Sequence, residues 1–266
     1  MSALLAVDKL EVVYHRAITA VQGVSLAVER GRIVALLGTN GAGKTTTLRA
    51  ISGFLGLDDA RVTEGAITFM GERIENLPPH DVTRRGIALV PEREKVFPNL
   101  TVAENLLVPV ARRAGAAERR RLEEMVFQFF PRLADLRGRL GGLLSGGERQ
   151  MLALSCALVC RPELLLIDEL SLGLAPVVVE DLAQRLTQIR RELDITILLV
   201  EQSAAVALAI ADHGYVMENG RIVLDGAAER LRQHPDVQEF YLGGAAGARR
   251  SYRDVKQYRR SRRWYG

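Results

Sequence analysis

The amino-acid sequence predicts an α/β protein whose mostly parallel core sheet is covered by helices. Short apolar runs alternate along the chain with longer segments of helical period, which is the pattern of parallel strands joined by crossover helices. The 266 residues, 48% of them apolar and 26% charged, suffice for a full hydrophobic core. In chain order, the predicted core strands are RIVALLG, GIALVP, ELLLID and ITILLV.

Two further regions are predicted beside this core. Residues 4 to 28 and 66 to 75 contain alternating runs, LEVVYH, AVQGVSLAVE and AITFMGERI, which predict a small antiparallel sheet. Residues 101 to 159, between the second and third core strands, are rich in Leu, Ala, Arg and Glu, and AAERRRLEEMVFQFF has a helical period. We therefore expect a helical subdomain inserted into the α/β fold.

The basic residues are concentrated at the C-terminus. The chain has a net charge of +4, but residues 245 to 266 alone carry eight basic residues and one acid, which leaves the rest at −3. This composition predicts an ordered domain over residues 1 to 244, followed by a basic, mobile tail. The tail either rests on anionic lipid or is a solvated extension without function.

Two classes of protein are disfavoured by simple patterns. No apolar run approaches the roughly 20 residues that span a bilayer, and the N-terminus MSALLAVDKLEVVYH does not have the basic start of a secretory signal. We therefore expect an intracellular chain. Cys156 and Cys160 lie four residues apart in an apolar helical segment without a second pair, which favours buried thiols over a metal site.

A nucleotide site is predicted where the first core strand ends. In GTNGAGKTT, Gly38 is separated by four residues from Gly43-Lys44-Thr45, which is the P-loop pattern between a strand and a helix. Backbone N–H groups would wrap the phosphates, Lys44 would reach the terminal phosphates, and Thr45 would offer a hydroxyl to Mg²⁺. A simple glycine turn would leave the Lys-Thr pair unexplained. The ATP-binding residues predicted here are Gly38, Thr39, Asn40, Gly41, Ala42, Gly43, Lys44, Thr45 and Thr46.

Two carboxylates follow the third core strand, in LLLIDE. Asp168 at the end of the strand is expected to hold Mg²⁺, and Glu169 one residue later to orient or deprotonate water. An ordinary strand exit can also carry an acid pair. The P-loop earlier in the chain favours the catalytic interpretation.

A second glycine turn, LLSGGERQ at residues 143 to 150, has no lysine. Ser145, Gly146 and Gly147 precede a helical segment and would form an anion site at a helix mouth. The alternative is a helix cap, because Glu148 follows Ser145 by three residues.

The order of these three motifs resembles that of the ATP-binding cassette (ABC) ATPases over residues 4 to about 243. This resemblance implies a P-loop NTPase of the ABC ATPase type. It also implies that Ser145, Gly146 and Gly147 form the signature motif, which closes over the γ-phosphate held by the P-loop of another subunit. Two subunits would then share each ATP.

The same resemblance assigns further positions. Tyr14 matches the aromatic residue that stacks on adenine, although a tyrosine packed on a strand is the alternative. Glu92 occupies the place of a glutamine that senses Mg²⁺ and the membrane partner, and Glu148 replaces the usual last glutamine of the signature. Gln202 lies where most relatives have a histidine that contacts the γ-phosphate.

Three segments resemble one branch of the family in particular. VPEREKVFPNLTVAENL, SLGLAP and LLVEQ are similar to the ATP-binding subunits of branched-chain amino-acid importers. This implies a cytoplasmic ATPase, peripheral on the inner face of the plasma membrane and bound to separate permease subunits. It would power uptake of branched-chain amino acids, or a related small polar solute, delivered by an extracytoplasmic solute-binding protein. Leu170 replaces the family's proline and is expected to loosen the loop after Glu169, and Ala175 replaces its aspartate.

Two questions about partners follow. Importers of this family use two different ATPase subunits, the sibling often having histidine at the position of Gln202, so we expect a heterodimer, with a homodimer possible. The alternative function is that of a soluble ABC ATPase acting on nucleic acid or ribosomes, with the tail's arginines and aromatics as a binding arm. The single cassette, the short helical insertion and the acidic body argue against it, so no nucleic-acid partner is expected.

Overall fold

The structure, a computed structural model, describes residues 3 to 93, 95 to 110 and 115 to 240. Its strands are β1 (Ala3–Tyr14), β2 (Ile18–Glu29), β3 (Ile33–Gly38), β4 (Ala60–Phe69), β5 (Glu72–Arg73), β6 (Ile87–Val90), β7 (Leu164–Asp168), β8 (Thr196–Glu201), β9 (His213–Glu218) and β10 (Arg221–Ala227). Its helices are α1 (Lys44–Ser52), α2 (Pro79–Arg84), α3 (Val102–Leu107), α4 (Ala116–Phe129), α5 (Pro131–Asp135), α6 (Gly146–Leu158), α7 (Pro176–Leu193), α8 (Ala204–Ile210), α9 (Ala228–Arg232) and α10 (Pro235–Phe240).

The core sheet has the strand order β10-β9-β3-β8-β7-β6. All neighbours from β9 to β6 pair in parallel, and β10 pairs with β9 antiparallel. Strands β3, β7 and β8 are buried along their whole length, as expected for parallel strands with both faces covered. The predicted mostly parallel sheet and its four core strands are confirmed.

Successive residues of these strands feed two apolar cores, one on each face of the sheet. On β3, for example, Ala35 and Leu37 belong to one core and Val34 and Leu36 to the other. This follows from the two-residue side-chain period of a strand. The first core also contains the apolar faces of α4 to α6, so the helical segment packs directly on the sheet.

The small antiparallel sheet has the order β2-β1-β4-β5 and confirms the predicted one. Strand β4 begins at Ala60, six residues before the predicted start. The alternating pattern is interrupted there, because β1 and β4 shift register between Asp8 and Glu11 and Gly65 has a positive φ of 86°. Because of this irregularity, the alternating pattern did not predict residues 60 to 65 as part of the strand.

The hairpin of β9 and β10 was not predicted. Its strands are joined by Asn219 and Gly220, which have φ angles of 47° and 78°. Positive φ at both central residues is characteristic of a type I′ hairpin turn, for which Asn-Gly is the preferred sequence. The Asn-Gly pair was therefore the signal that could have located this hairpin.

Three further expectations concern the helical segment, the basic tail and membrane-spanning helices. Helix α3 begins at Val102 and helix α6 ends at Leu158, each one residue inside the bounds of the predicted helical segment, residues 101 to 159. The basic tail, residues 245 to 266, lies outside the described residues and stays a prediction. In the described ranges, no helix combines the length and the apolar character needed to cross a membrane.

Cys156 and Cys160 are partly buried, and burial raises the pKa of both thiols, that of Cys156 to about 12.

Gly65 provides a test of the strand irregularity, with Gly23 as its matched control. Both are exposed glycines of the small sheet with positive φ, but a Cβ at Gly65 would lie 2.4 Å from the Asp8 carbonyl oxygen, whereas one at Gly23 meets no atom within 4 Å. Gly23→Ala should lower the free energy of unfolding by about 1 kcal/mol through backbone strain alone. Gly65→Ala should lower it by roughly 2 kcal/mol more, because the backbone must also shift. Urea unfolding midpoints measure the difference, and equal losses would contradict the close approach.

Candidate functional site

The P-loop lies between β3 and α1, as predicted. Gly41 and Gly43 have φ angles of 79° and 104°, which L side chains rarely adopt. The unpredicted hairpin packs against this loop, since a Cβ at Gly38 would lie 2.5 Å from the Met217 carbonyl oxygen. The Gly220 N–H also donates to the Ala42 carbonyl oxygen at 2.9 Å. The hairpin therefore fixes the backbone that would cradle the phosphates, while Thr39, Asn40 and Gly41 lie exposed.

Lys44 is the most constrained side chain of the loop. It is only 5% exposed, and its Nζ donates to the carbonyl oxygens of Gly38 at 2.9 Å and Thr39 at 3.3 Å. The same Nζ lies 3.1 Å from Oε1 of Glu169 in a buried ion pair. The structure thus brings the predicted phosphate-binding lysine and the predicted base into direct contact.

Glu169 is held on both of its carboxylate oxygens. Oε2 accepts a hydrogen bond from the backbone N–H of Gln202 at 3.1 Å, while Oε1 faces Lys44. Its own N–H donates to the Val200 carbonyl oxygen at 2.9 Å. The backbone of Glu169 has a φ of 54°, a left-handed conformation that costs a non-glycine residue roughly 1–2 kcal/mol. Such strain persists where the surroundings over-determine the conformation, and it concentrates at functional sites.

Asp168 ends β7 beside the P-loop. Its Oδ1 accepts a hydrogen bond from the Thr45 hydroxyl at 3.2 Å. Burial raises the pKa of Asp168 to about 6, and the charges of Glu169 and Glu92 act in the same direction. A carboxylate and a hydroxyl are the hard oxygen ligands that suit Mg²⁺. The described residues contain no group of three His, Cys, Asp or Glu able to hold a metal by itself.

The other predicted nucleotide contacts surround this centre. The Tyr14 hydroxyl lies 3.2 Å from the hydroxyl of Thr46, which places the tyrosine at the edge of the P-loop. Gln202 follows β8 and is exposed. Glu92, two residues after β6, forms an ion pair with exposed Arg93 at 3.2 Å.

The second glycine turn is a capped helix start. Ser145 is the N-cap of α6, and its hydroxyl oxygen accepts from the N–H of Glu148 at 3.3 Å. Oε2 of Glu148 accepts in return from the Ser145 N–H at 2.9 Å, and its Oε1 accepts from Arg132. These bonds, first the one from Ser145, lower the pKa of Glu148. The cap is therefore formed, and Ser145 and Gly146 stay exposed at the helix mouth.

This turn is separate from the P-loop within one chain. In the described part of the molecule, no hydrogen bond or ion pair joins Ser145, Gly146 or Gly147 to the P-loop residues.

The sequence did not predict the hydrogen bonds that join the loop after β7 to the end of β8. Glu201 is fully buried and accepts from Ser171 twice, from its N–H at 2.8 Å and from its hydroxyl at 2.9 Å. Burial raises the pKa of Glu201. Leu170 is also fully buried in the core below the sheet. The loop that was expected to be loosened by the loss of proline is therefore anchored on both sides, whereas the effect of Leu170 on turnover stays a prediction.

The loop then leads into α7. Ala175 is the N-cap of this helix and makes no side-chain cap bond, whereas the family's aspartate could do so. The neighbouring Leu172 and Val177 are exposed apolar side chains.

Comparison with known proteins places these features in a family. A family profile described as ABC transporter matches residues 21–171. The high-affinity branched-chain amino acid transport ATP-binding protein BraG of Pseudomonas aeruginosa is 41% identical over 241 residues, which cover 91% of this chain and 100% of BraG. BraF of the same bacterium, also named as a high-affinity branched-chain amino acid transport ATP-binding protein, is 33% identical and covers 85% of this chain and 92% of its own length.

A solved structure extends the likeness to three dimensions. An ATP-binding cassette of an ABC transporter, crystallised in its ADP conformation, superposes with a TM-score of 0.77 at 27% identity, over 91% of this chain and 100% of that one. The predicted P-loop NTPase fold of the ABC ATPase type is confirmed. The chain therefore belongs to the ABC transporter family and is one of its ATP-binding, ATP-hydrolysing cassettes.

Proposed function

We propose that this chain is the ATP-hydrolysing subunit of an importer for branched-chain amino acids or a related small polar solute. The observation that carries the proposal is the meeting of Lys44, Asp168 and Glu169 at one edge of the core sheet. The likeness to BraG over nearly the whole chain supports the importer class. The chain would lie on the inner face of the plasma membrane, bound to integral-membrane permease subunits that receive the solute from an extracytoplasmic binding protein.

Lys44 would change its anionic partner when ATP binds. The backbone N–H groups of residues 39 to 45 and the N-terminus of α1 favour phosphate oxygens in the loop. A triphosphate offers Lys44 more negative charge than the single carboxylate of Glu169 does. Lys44 would then leave Glu169, and this carboxylate would be free to accept a proton from water.

Thr45 and Asp168 are the residues that would hold Mg²⁺. When bound there, Mg²⁺ neutralises charge on the transferred phosphate. The Thr45 hydroxyl currently donates to Asp168 and would turn its lone pairs toward the ion. Glu92 would sense the ion from the loop after β6, and Tyr14 would stack on adenine above Thr46.

The signature turn would act on a second subunit. The hydroxyl of Ser145 already accepts from Glu148 and keeps its proton for donation to a γ-phosphate oxygen. The N–H groups of Gly146 and Gly147 begin α6 and would add to this anion site. The working unit would be a heterodimer with a second ABC ATPase, and the presence of both BraG and BraF in one bacterium supports two different subunits.

Substitution of the two central residues separates binding from hydrolysis. Lys44→Ala should reduce ATP binding at least about 100-fold, because a buried, charge-assisted contact to phosphate is lost. Glu169→Gln should bind ATP and stop turnover, since glutamine cannot accept the proton from water. Binding of a fluorescent ATP analogue and release of phosphate measure the two effects. Exposed Glu180→Gln on α7 is the control and should hydrolyse ATP normally. Near-normal turnover by Glu169→Gln would show that Glu169 is not the base.

Gln202 generates the prediction about subunit composition. Its neutral amide can donate a hydrogen bond worth about 1 kcal/mol, and a histidine cation one worth about twice that. A homodimer should therefore hydrolyse slowly, and Gln202→His should accelerate it about fivefold.

Reconstitution tests this expectation with the sibling ATPase and the permeases. The mixture should turn over ATP faster than this chain with the permeases alone, and added DNA should have no effect. A homodimer that transports at the full rate would contradict the heterodimer, and an unaccelerated Gln202→His protein would show that the amide is no handicap.

A further inference from the structure

Lys95 lies between the catalytic edge of the sheet and the helical segment. It follows β6 in the same loop as Glu92, and its Nζ donates to Oε1 of Gln150 on α6. Gln150 is only 1% exposed. Lys95 also lines two clefts, one that contains Glu92 and Gln150 and another between β6 and Ala153 of α6. The side chain therefore crosses from the loop after β6 to the helix that begins with the signature turn.

The contact between Lys95 and Gln150 has only one possible orientation. An ammonium group can only donate, so the atom of Gln150 that faces it must be the amide oxygen. The amide nitrogen Nε2 is then left buried, and no acceptor faces it within the described chain. A buried donor without a partner is unfavourable. The amide is thus oriented by Lys95 at the expense of its own second hydrogen bond.

Four carboxylates lie on the catalytic side of Lys95. Glu92 lines the same cleft, and Asp168, Glu169 and Glu201 stand at or just after the ends of β7 and β8, the next two strands of the sheet. Burial lowers the pKa of Lys95, and the negative charges of Glu92, Asp168, Glu201 and Glu169 oppose that effect. Asp168, Glu169 and Glu201 are themselves buried. Among the described residues no ion pair joins Lys95 to these carboxylates, and its ammonium is held by the hydrogen bond to Gln150.

We propose that Lys95 supplies a fixed positive charge to the ATPase site: held by Gln150, it offsets the carboxylates around Asp168 and thereby sets the affinity for the divalent cation. The inference rests on the proposed function, since it assigns a role toward Mg²⁺ and ATP. Because Gln150 belongs to α6, the position of this charge is tied to the helix whose first turn would contact the other subunit's ATP. A shift of α6 would therefore change the electrostatic field at Asp168.

Removal of the Lys95 charge should have opposite effects on the binding of ATP and on the binding of Mg²⁺. Lys95→Met should weaken binding of ATP in the presence of EDTA by about fivefold, because a positive charge near the polyanion is lost. The same variant should lower the free Mg²⁺ concentration that half-saturates the ATP-loaded protein by at least a similar factor, because repulsion of the cation is lost. Lys95→Arg keeps the charge and should resemble the wild type in both measurements. Gln150→Leu removes the acceptor that holds the Lys95 ammonium. It should change ATP binding in EDTA and the half-saturating Mg²⁺ concentration in the same directions as Lys95→Met does, but by smaller factors.

The measurement is equilibrium binding of a fluorescent ATP analogue, first in EDTA and then with Mg²⁺ titrated at fixed analogue. If Lys95→Met weakens both the analogue and Mg²⁺, the residue acts through folding and the proposal is wrong. If neither quantity changes, the charge has no influence and the proposal is equally wrong. A wild-type protein that binds no analogue would instead overturn the proposed function itself, which makes the two failures distinguishable.

Discussion

The buried ion pair between Lys44 and Glu169 is the interaction on which the organisation of the site depends. Neither charge can be left unpaired in this environment, because a buried ion without a partner costs several kcal/mol. Each residue therefore holds the other, and the pair fastens the P-loop to the end of β7. Only a competing anion can separate the two at low cost. The phosphates of a nucleotide are such an anion, so in the proposed mechanism the interaction that orders the site in the free chain would also make it responsive to ATP.

Strand order explains why residues far apart in the chain meet at this pair. Strand β8 lies between β3 and β7, and all three run parallel. Their carboxyl ends therefore lie side by side, which places the P-loop, Gln202 and the Asp168-Glu169 pair at one edge. Two of the hydrogen bonds found there come from backbone donors, the Gln202 N–H to Glu169 and the Ser171 N–H to Glu201. Both bonds are formed with Leu170 in place of the family's proline.

Much of this organisation could be predicted from the sequence, because it is encoded locally. The P-loop glycines, the core strands and the signature cap each follow from residues within about ten positions of one another. The contacts of Ser171 with Glu201 and of Lys95 with Gln150 could not be predicted, since they join residues 30 and 55 positions apart. The β9-β10 hairpin lay between these cases, because its Asn-Gly turn was a local signal. The described site does not indicate which solute is transported, since its residues are those that the proposed mechanism assigns to nucleotide and Mg²⁺.

Exchange of Lys44 between Glu169 and ATP is tested most directly by a crystal structure of the wild-type chain with Mg²⁺ and a non-hydrolysable ATP analogue. The distance from Lys44 Nζ to Glu169 Oε1, now 3.1 Å, should exceed ion-pair range, with Nζ bound to phosphate oxygens instead. Asp168 and Thr45 should then lie around the metal ion. An intact Lys44–Glu169 pair beside a fully bound nucleotide would contradict the exchange and the release of the base that it provides.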